Sequence, residues 1–357
     1  YALDAITTGD YNTAVGAEAG TNLTTGSDNV FIGKNVYSAA TDMDGGVAVG
    51  VDVLNSCTGF NVGVGRAILN GANNTAGGNY AFGYGSGGGI TTGSENTFIG
   101  GYAGPGMSTA SQCTYMGRSA GWGSSGGQCT GIARRACQGA STGAGNTAVG
   151  FQAMYHGPGT GSNNTAIGVT SLHGGGDNNT CLGYYSGHSG SPGGAATGNQ
   201  FFMGDENIEE LHCQVSLTVA SDKRDKTDVE PLTMGLSFIN QLEPVTYRWD
   251  KRTKYIKKYK LSLEPDDEDF IDLDDVVHDG THKEPKLCAG LLAQDVEVIE
   301  QSYGFDKEDK TNLVTQISGD GKQYSLAYEK FVPMLIKSVQ ELSTKNDALE
   351  ARLAALE

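Results

Sequence analysis

No stretch of eighteen consecutive apolar residues occurs in these 357 residues, so no helix of the chain spans a bilayer. A signal peptide is missing too. Tyr1 already stands inside a patterned segment, as expected of a fragment or processed product of something longer. Basic charge is scarce: 24 Lys and Arg against 41 Asp and Glu leave a net charge of -17. That balance argues against nucleic acid as the main partner, because phosphate neutralisation needs a clustered basic surface. It also disfavours adsorption to anionic membranes. The cysteines are few and odd in number. Cys57, Cys113, Cys129, Cys137, Cys181, Cys213 and Cys288 fit no disulfide or zinc framework, and Cys129 and Cys137 are too far apart for a Cys-x-x-Cys pair. They are expected as small core residues of a protein folded in a reducing cytoplasm.

Glycine is abundant and unevenly placed. Of 54 glycines, only six (235, 280, 290, 304, 319 and 321) follow residue 204, whereas most charged residues lie in that later part. This step in composition places a domain boundary near Gly204 to Glu206. Before it the chain repeats. Asn12-Thr13-Ala14-Val15-Gly16 returns as Asn29-Val30-Phe31-Ile32-Gly33, Asn96-Thr97-Phe98-Ile99-Gly100, Asn146-Thr147-Ala148-Val149-Gly150 and Asn164-Thr165-Ala166-Ile167-Gly168. A worn copy, Cys129-Thr130-Gly131-Ile132-Ala133, keeps the phase, and the closing positions step by 15 to 18 residues from 16 to 183.

Each copy reads as a short strand of period two. The second and fourth positions (Thr97 and Ile99, for example) share one face and the residue between takes the other, with Thr and Ala often inside. The closing Gly permits a turn that a Cβ would obstruct, and the opening Asn suits a turn as well. Three positions past the Gly stands a mostly small residue (Ala19, Ser86, Ala103, Ala120, Ala136, Ala153, Ser171, Ser186), which implies closely packed backbones. About 17 residues allow two short strands and two turns per rung, and stacked rungs predict a β-solenoid or β-roll over residues 1–204. The glycine-rich stretch from Gly83 to Gly89 is not followed by Lys-Ser/Thr or a helical pattern, so it is no phosphate loop. Tyr37, Tyr84, Tyr102, Trp122, Tyr155, Tyr184 and Tyr185 are expected to be exposed; they either cover rungs or stack on sugars. One such roll buries a thin core and leaves sheet edges open. The repeat resembles those of phage tail fibres and, more distantly, the rolls of trimeric autotransporter adhesin heads; a trimeric shaft is what that resemblance implies.

After residue 204 the style changes. Leu211 to Ala220 reads as a connecting strand within 205–220 and Val229 to Leu242 as a helix with Pro231 at its start. Glu243 to Trp249 reads as a strand, and Tyr324 to Tyr328 leads into a long final helix. In that helix Leu335, Val339, Leu342, Asn346, Leu349, Leu353 and Leu356 alternate steps of four and three, a coiled-coil heptad over 332–357 with Asn346 at a register-fixing position. The insertion at 250–286 opens on Lys251 to Lys260, read as a strand or hairpin arm with a charged face, followed by the acidic run Glu264 to Asp275. That run lacks the Asp-x-Asp-x-Asp-Gly order of a calcium loop, and Gly280 between His278 and His282 marks a loop rather than a metal-binding helix face. No cofactor or metal is expected.

Ser221-Asp222-x-Arg224-x-Lys226, Leu242-x-Pro244-x-x-Tyr247, Gly290-x-x-Ala293-Gln294-Asp295, and Tyr328 ahead of Gln340-Glu341-Leu342 follow one another in order. Over 221–357 this resembles the intramolecular chaperone, or auto-processing, domain at the C-terminus of phage tailspikes, endosialidases and neck appendage proteins. Gln-Asp stands here where Gln-Glu is commoner. The resemblance implies a mainly β trimeric fibre, an α+β chaperone domain that drives trimerisation, and one self-cleavage between Ala220 and Ser221. Ser221 would be the nucleophile and Lys226 the base of this single-turnover serine auto-endopeptidase. A serine hydroxyl needs a base, and a lysine serves only when desolvation or a like charge makes its neutral form accessible. The expected setting is a virion assembled in the host cytoplasm. Its partners would be the chain itself, a host surface glycan or protein receptor, and other tail proteins through a segment before Tyr1. A glycan-depolymerising tailspike would need paired carboxylates in a groove, and Asp42, Asp44, Asp52 and Glu95 share no phase in the repeat. A bacterial trimeric adhesin would need an outer-membrane anchor where the heptads stand.

Overall fold

A computed structural model describes the chain except residues 72–74, 76, 140–141, 156–160, 173–174, 189–195, 256–272, 307–310, 319–320 and 357. The chain divides into two compact units, Tyr1–Asn207 and Ile208–Glu357.

The first unit is a β-solenoid. Twelve short strands, from Thr13–Val15 to Phe201–Met203, form one sheet in strict sequence order, every neighbour parallel and in register with the repeat. Thr97 lies beside Thr114, Phe98 beside Tyr115 and Ile99 beside Met116. Each rung contributes one strand to the sheet rather than the two expected. The cause is the backbone beyond each closing position, where the second and fourth residues take positive φ, as at Tyr102 (54°) and Gly104 (63°) or Gln152 (56°) and Met154 (53°). Two left-handed residues in three bend the chain into turns. Hydrogen bonding between rungs survives those turns, as in Gly20 N–H to Val36 O at 2.8 Å and Thr24 N–H to Thr41 O at 2.9 Å.

The strand's central residue points inward: Phe31, Ala48, Ala81, Phe98, Tyr115, Ala148 and Ala166 are fully buried. Alanine is inside as expected, but threonine is not. Thr97, Thr114, Thr147 and Thr165 are half-exposed and share the outer face with the fourth-position Val and Ile. All eight small residues three positions past the closing site are fully buried. Bulk alternates with glycine across this thin core. Phe98 and Tyr115 stack at 6.3 Å, and a Cβ on Gly104 or Gly121 would strike their rings. The closing glycines sit at φ near +130°, and a Cβ on Gly50 would collide with the carbonyl of Gly65, one rung on.

The opening asparagine does more than permit a turn. It is buried, and its Oδ1 accepts the backbone N–H of the next rung: Asn29 from Gly46 (2.7 Å), Asn96 from Cys113 (2.9 Å), Asn146 from Asn164 (2.9 Å). Its Nδ2 donates to a carbonyl about a rung away, as Asn96 does to Ala110 O at 2.9 Å. Buried amide groups are tolerable because both ends are partnered. Cys113 and Cys129 replace Asn in two successive rungs. Their thiols donate to backbone carbonyls, Cys113 to Gly126 O at 3.4 Å and Cys129 to Gly127 O at 3.3 Å, and the interaction between the two thiols raises the Cys113 pKa and lowers that of Cys129. None of the seven cysteines, all of them among the described residues, forms a disulfide; Cys213 is exposed and Cys288 half-buried, so these two are not core residues.

The second unit is α+β. Its core joins Met234, Phe238, Val296, Val314, Phe331 and Met334. Val245–Tyr247 pairs antiparallel with Cys288–Gly290, and Thr315–Ile317 with Tyr324–Leu326. Helices cover Leu236–Ile239, Ala293–Ser302 and Phe331–Ala354. The helix expected over Val229 to Leu242 shrinks to Leu236–Ile239, because Gly235 takes a non-helical conformation at its N-cap (φ -128°, ψ -135°). The strand expected over Leu211 to Ala220 does not form. Among the described residues no other strand lies beside it, and a lone strand has no ladder to satisfy its N–H and C=O groups. The described start of the insertion is a 3-10 turn, Arg252–Tyr255, not a strand; most of the acidic run falls at 256–272, outside the described residues.

Candidate functional site

Asp222 organises the start of the signature. Its carboxylate caps the 3-10 turn Lys223–Asp225 by accepting from Arg224 N–H at 2.9 Å, and it holds the Arg224 guanidinium through Nε and Nη2 (2.7 Å). The guanidinium keeps the Asp222 carboxyl below the usual carboxylate range. The turn spans three residues, so Lys226 folds back over Ser221. Lys226 Nζ lies 2.6 Å from Ser221 Oγ and 3.5 Å from Ser221 O. The two residues to which the resemblance gives the roles of nucleophile and base are therefore in direct hydrogen-bond contact. Every residue from 207 to 231 is exposed, Ala220, Ser221 and Lys226 included.

The other signature residues form the frame rather than the reacting pair. Tyr328 Oη accepts Leu291 N–H at 3.0 Å, and a Cβ on Gly290 would meet that hydroxyl at 2.6 Å, which explains glycine there. Tyr247 sits opposite Cys288 across the same strand pair. Glu341 accepts the backbone N–H of Leu236 at 2.9 Å, closing the N-terminus of the short helix. That hydrogen bond, with Lys337 at 3.5 Å, holds its carboxyl below the ordinary range. Asp295 falls in the first turn of Ala293–Ser302, where a carboxylate suits the helix dipole as glutamate would.

One device escaped the sequence. Glu300 is 1% exposed and accepts three consecutive backbone N–H groups, from Leu313 (2.8 Å), Val314 (2.8 Å) and Thr315 (3.0 Å). It ties the helix Ala293–Ser302 to the strand that follows. Only its spacing from Val296, one turn earlier on the inward helix face, hints at burial. In the insertion, Lys251 pairs with Glu284 and Arg252 with Asp274, while His278 and His282 both pack against Tyr255. No group of metal-ligating side chains occurs among the described residues.

A parallel solenoid thus precedes, along the chain, an α+β unit in which Lys226 contacts Ser221. Residues 221–305 match the family model described as Chaperone of endosialidase, beginning at Ser221 itself. The match covers the first three signature elements; Tyr328 and Glu341 lie beyond it. No curated protein and no solved structure matches the chain. The solenoid with this domain behind it fits a tail fibre with a C-terminal chaperone domain. No helix among the described residues is long and apolar enough to cross a membrane.

Proposed function

We propose that the chain is the distal part of a phage tail fibre or tailspike that attaches to the host surface. Its C-terminal domain brings three copies together and then releases the shaft by one cut between Ala220 and Ser221. The observation that carries this reading is the 2.6 Å approach of Lys226 Nζ to Ser221 Oγ. In its neutral form Lys226 takes the hydroxyl proton, and Ser221 Oγ attacks the Ala220 carbonyl carbon. The C–N bond breaks as the proton passes to the Ser221 nitrogen, leaving an ester between Ala220 and Ser221 Oγ. Water hydrolyses that ester, so Ala220 ends as a carboxylate and Ser221 recovers its hydroxyl beside a new α-amine.

A solvated lysine is a poor base, and in one copy Lys226 stands in water. Other copies are the natural source of desolvation, and three apolar faces support their presence. The outer solenoid face carries a column from Val15 through Ile32, Ile99, Ile132 and Ile167 to Met203, each 38–58% exposed. Leu211, Val215, Leu217 and Val219 alternate on the unpaired segment before the cut, and Leu335, Val339, Leu342, Leu349 and Leu353 stripe the last helix. Apolar stripes of this extent are unusual on a monomer. Cleavage that waits for assembly leaves a shaft held by a kinetic barrier rather than by equilibrium stability.

Intact-mass analysis of the expressed chain beside Ser221→Ala and Lys226→Ala tests the cut. Two fragments, one beginning at Ser221, are expected from the parent and a single full-length species from each variant. An uncut parent, or a parent-like cut in either variant, would sink the dyad.

A further inference from the structure

The residue after each closing glycine forms a column at one corner of the solenoid, in register from rung to rung: Lys34 beside Val51, Val51 beside Arg66, Arg66 beside Tyr84. The next four residues of each rung turn away from the sheet at the same corner. All four arginines of the first 204 residues, Arg66, Arg118, Arg134 and Arg135, fall in these corner positions. No acidic residue occupies any of them from Arg66 to His188, whereas Glu18 and Asp52 do in the opening rungs. In a chain of net charge -17, this is a local reversal of sign.

Aromatic rings interleave with the arginines. Arg66 lies over Tyr84 at 5.8 Å, Arg134 over Phe151 at 5.6 Å and Arg135 over Tyr155 at 5.5 Å. Between them Tyr84, Tyr102 and Trp122, from three successive rungs, stand edge to face at 5.0 Å and tilted at 5.6 Å. Tyr84 and Trp122 are each 45% exposed, so these rings do not serve to cover the core. With rungs spaced about 4.8 Å apart, the five steps from Arg66 to Phe151 run about 24 Å along the axis.

We propose that this corner is a binding site for an anionic surface polysaccharide; the proposal rests on the attachment reading above and names its ligand class. Exposed ring faces pack the apolar C–H faces of sugars, and planar guanidinium groups engage carboxylate or phosphate substituents bidentately. The length fits an extended oligosaccharide rather than a single sugar. A nucleic acid fits less well. Four cations over this length, on an acidic protein, make no continuous electrostatic track for a backbone carrying a phosphate per nucleotide.

The test uses the full chain, its Arg118→Gln and Trp122→Ala variants, and an immobilised panel of acidic and neutral bacterial surface polysaccharides with a single-stranded oligonucleotide. Retention is expected on acidic members only, weaker by about tenfold in each variant and falling with salt, at unchanged melting temperature. Equal retention on neutral members, or preferential retention on the oligonucleotide, overturns the proposal. Retention of the parent that neither variant alters removes the corner but leaves attachment standing. No retention of the parent on any polysaccharide overturns the proposal and, with it, glycan attachment.

Discussion

The two units solve the same packing problem at different scales. In the solenoid each rung satisfies the next. The strand ladder, the buried asparagine amides and the stacked rings all bond residues about 17 positions apart, so stability accumulates by repetition. In the unit from Ile208 a small core of six buried side chains is supplemented by single long-range devices, the Glu300 and Glu341 carboxylates. Repetition tolerates a defective rung, whereas a unit resting on singular contacts does not. Both leave apolar stripes in water, which the proposed assembly would cover.

The largest loss is expected in the ring stack. Phe98→Ala removes a fully buried ring facing Gly104 and Tyr115 and should cost the solenoid about 4 kcal/mol, read from its urea midpoint. Glu300→Ala leaves three inward backbone N–H groups without their carboxylate. It should cost the C-terminal unit roughly 3 kcal/mol in its own unfolding transition while the solenoid transition stays in place. A common shift of both transitions would show that the two are not independent.

A smaller effect of opposite sign is expected at the worn rung. Ala133 occupies a closing position at φ 107°, where every neighbouring rung has glycine. Ala133→Gly should stabilise the solenoid by about 1 kcal/mol. The smallest effect is acidic. The Glu341 carboxyl is depressed by the Leu236 N–H and by Lys337. Its contribution is therefore present above the ordinary carboxylate pKa and disappears as pH falls through the depressed value. Glu341→Gln should flatten that acid limb in urea midpoints followed from neutral pH downward, and an unchanged limb would assign it to other groups.

The repeat was legible because one pattern, recurring twelve times in register, outweighs any local ambiguity; the strand positions and the small buried column follow from it. What failed to read was local or collective. Left-handed residues such as Gln152 and Met154 are ordinary side chains that the stacking forces into turns, so the second strand per rung was not distinguishable from a turn. The alternation at Leu211 to Ala220 is genuine strand chemistry without a neighbouring strand among the described residues. Glu300 is a carboxylate on an amphipathic helix, and nothing beside it announces the three N–H groups arriving from Leu313 to Thr315.

Assembly through the outer apolar faces is open to light scattering of the uncut Lys226→Ala chain, alone and with Ile99→Asp added on the outer column. Three times the single-chain mass is expected for the former and dissociation or misassembly for the latter. A folded species of single-chain mass, or a complex indifferent to the aspartate, would contradict the account.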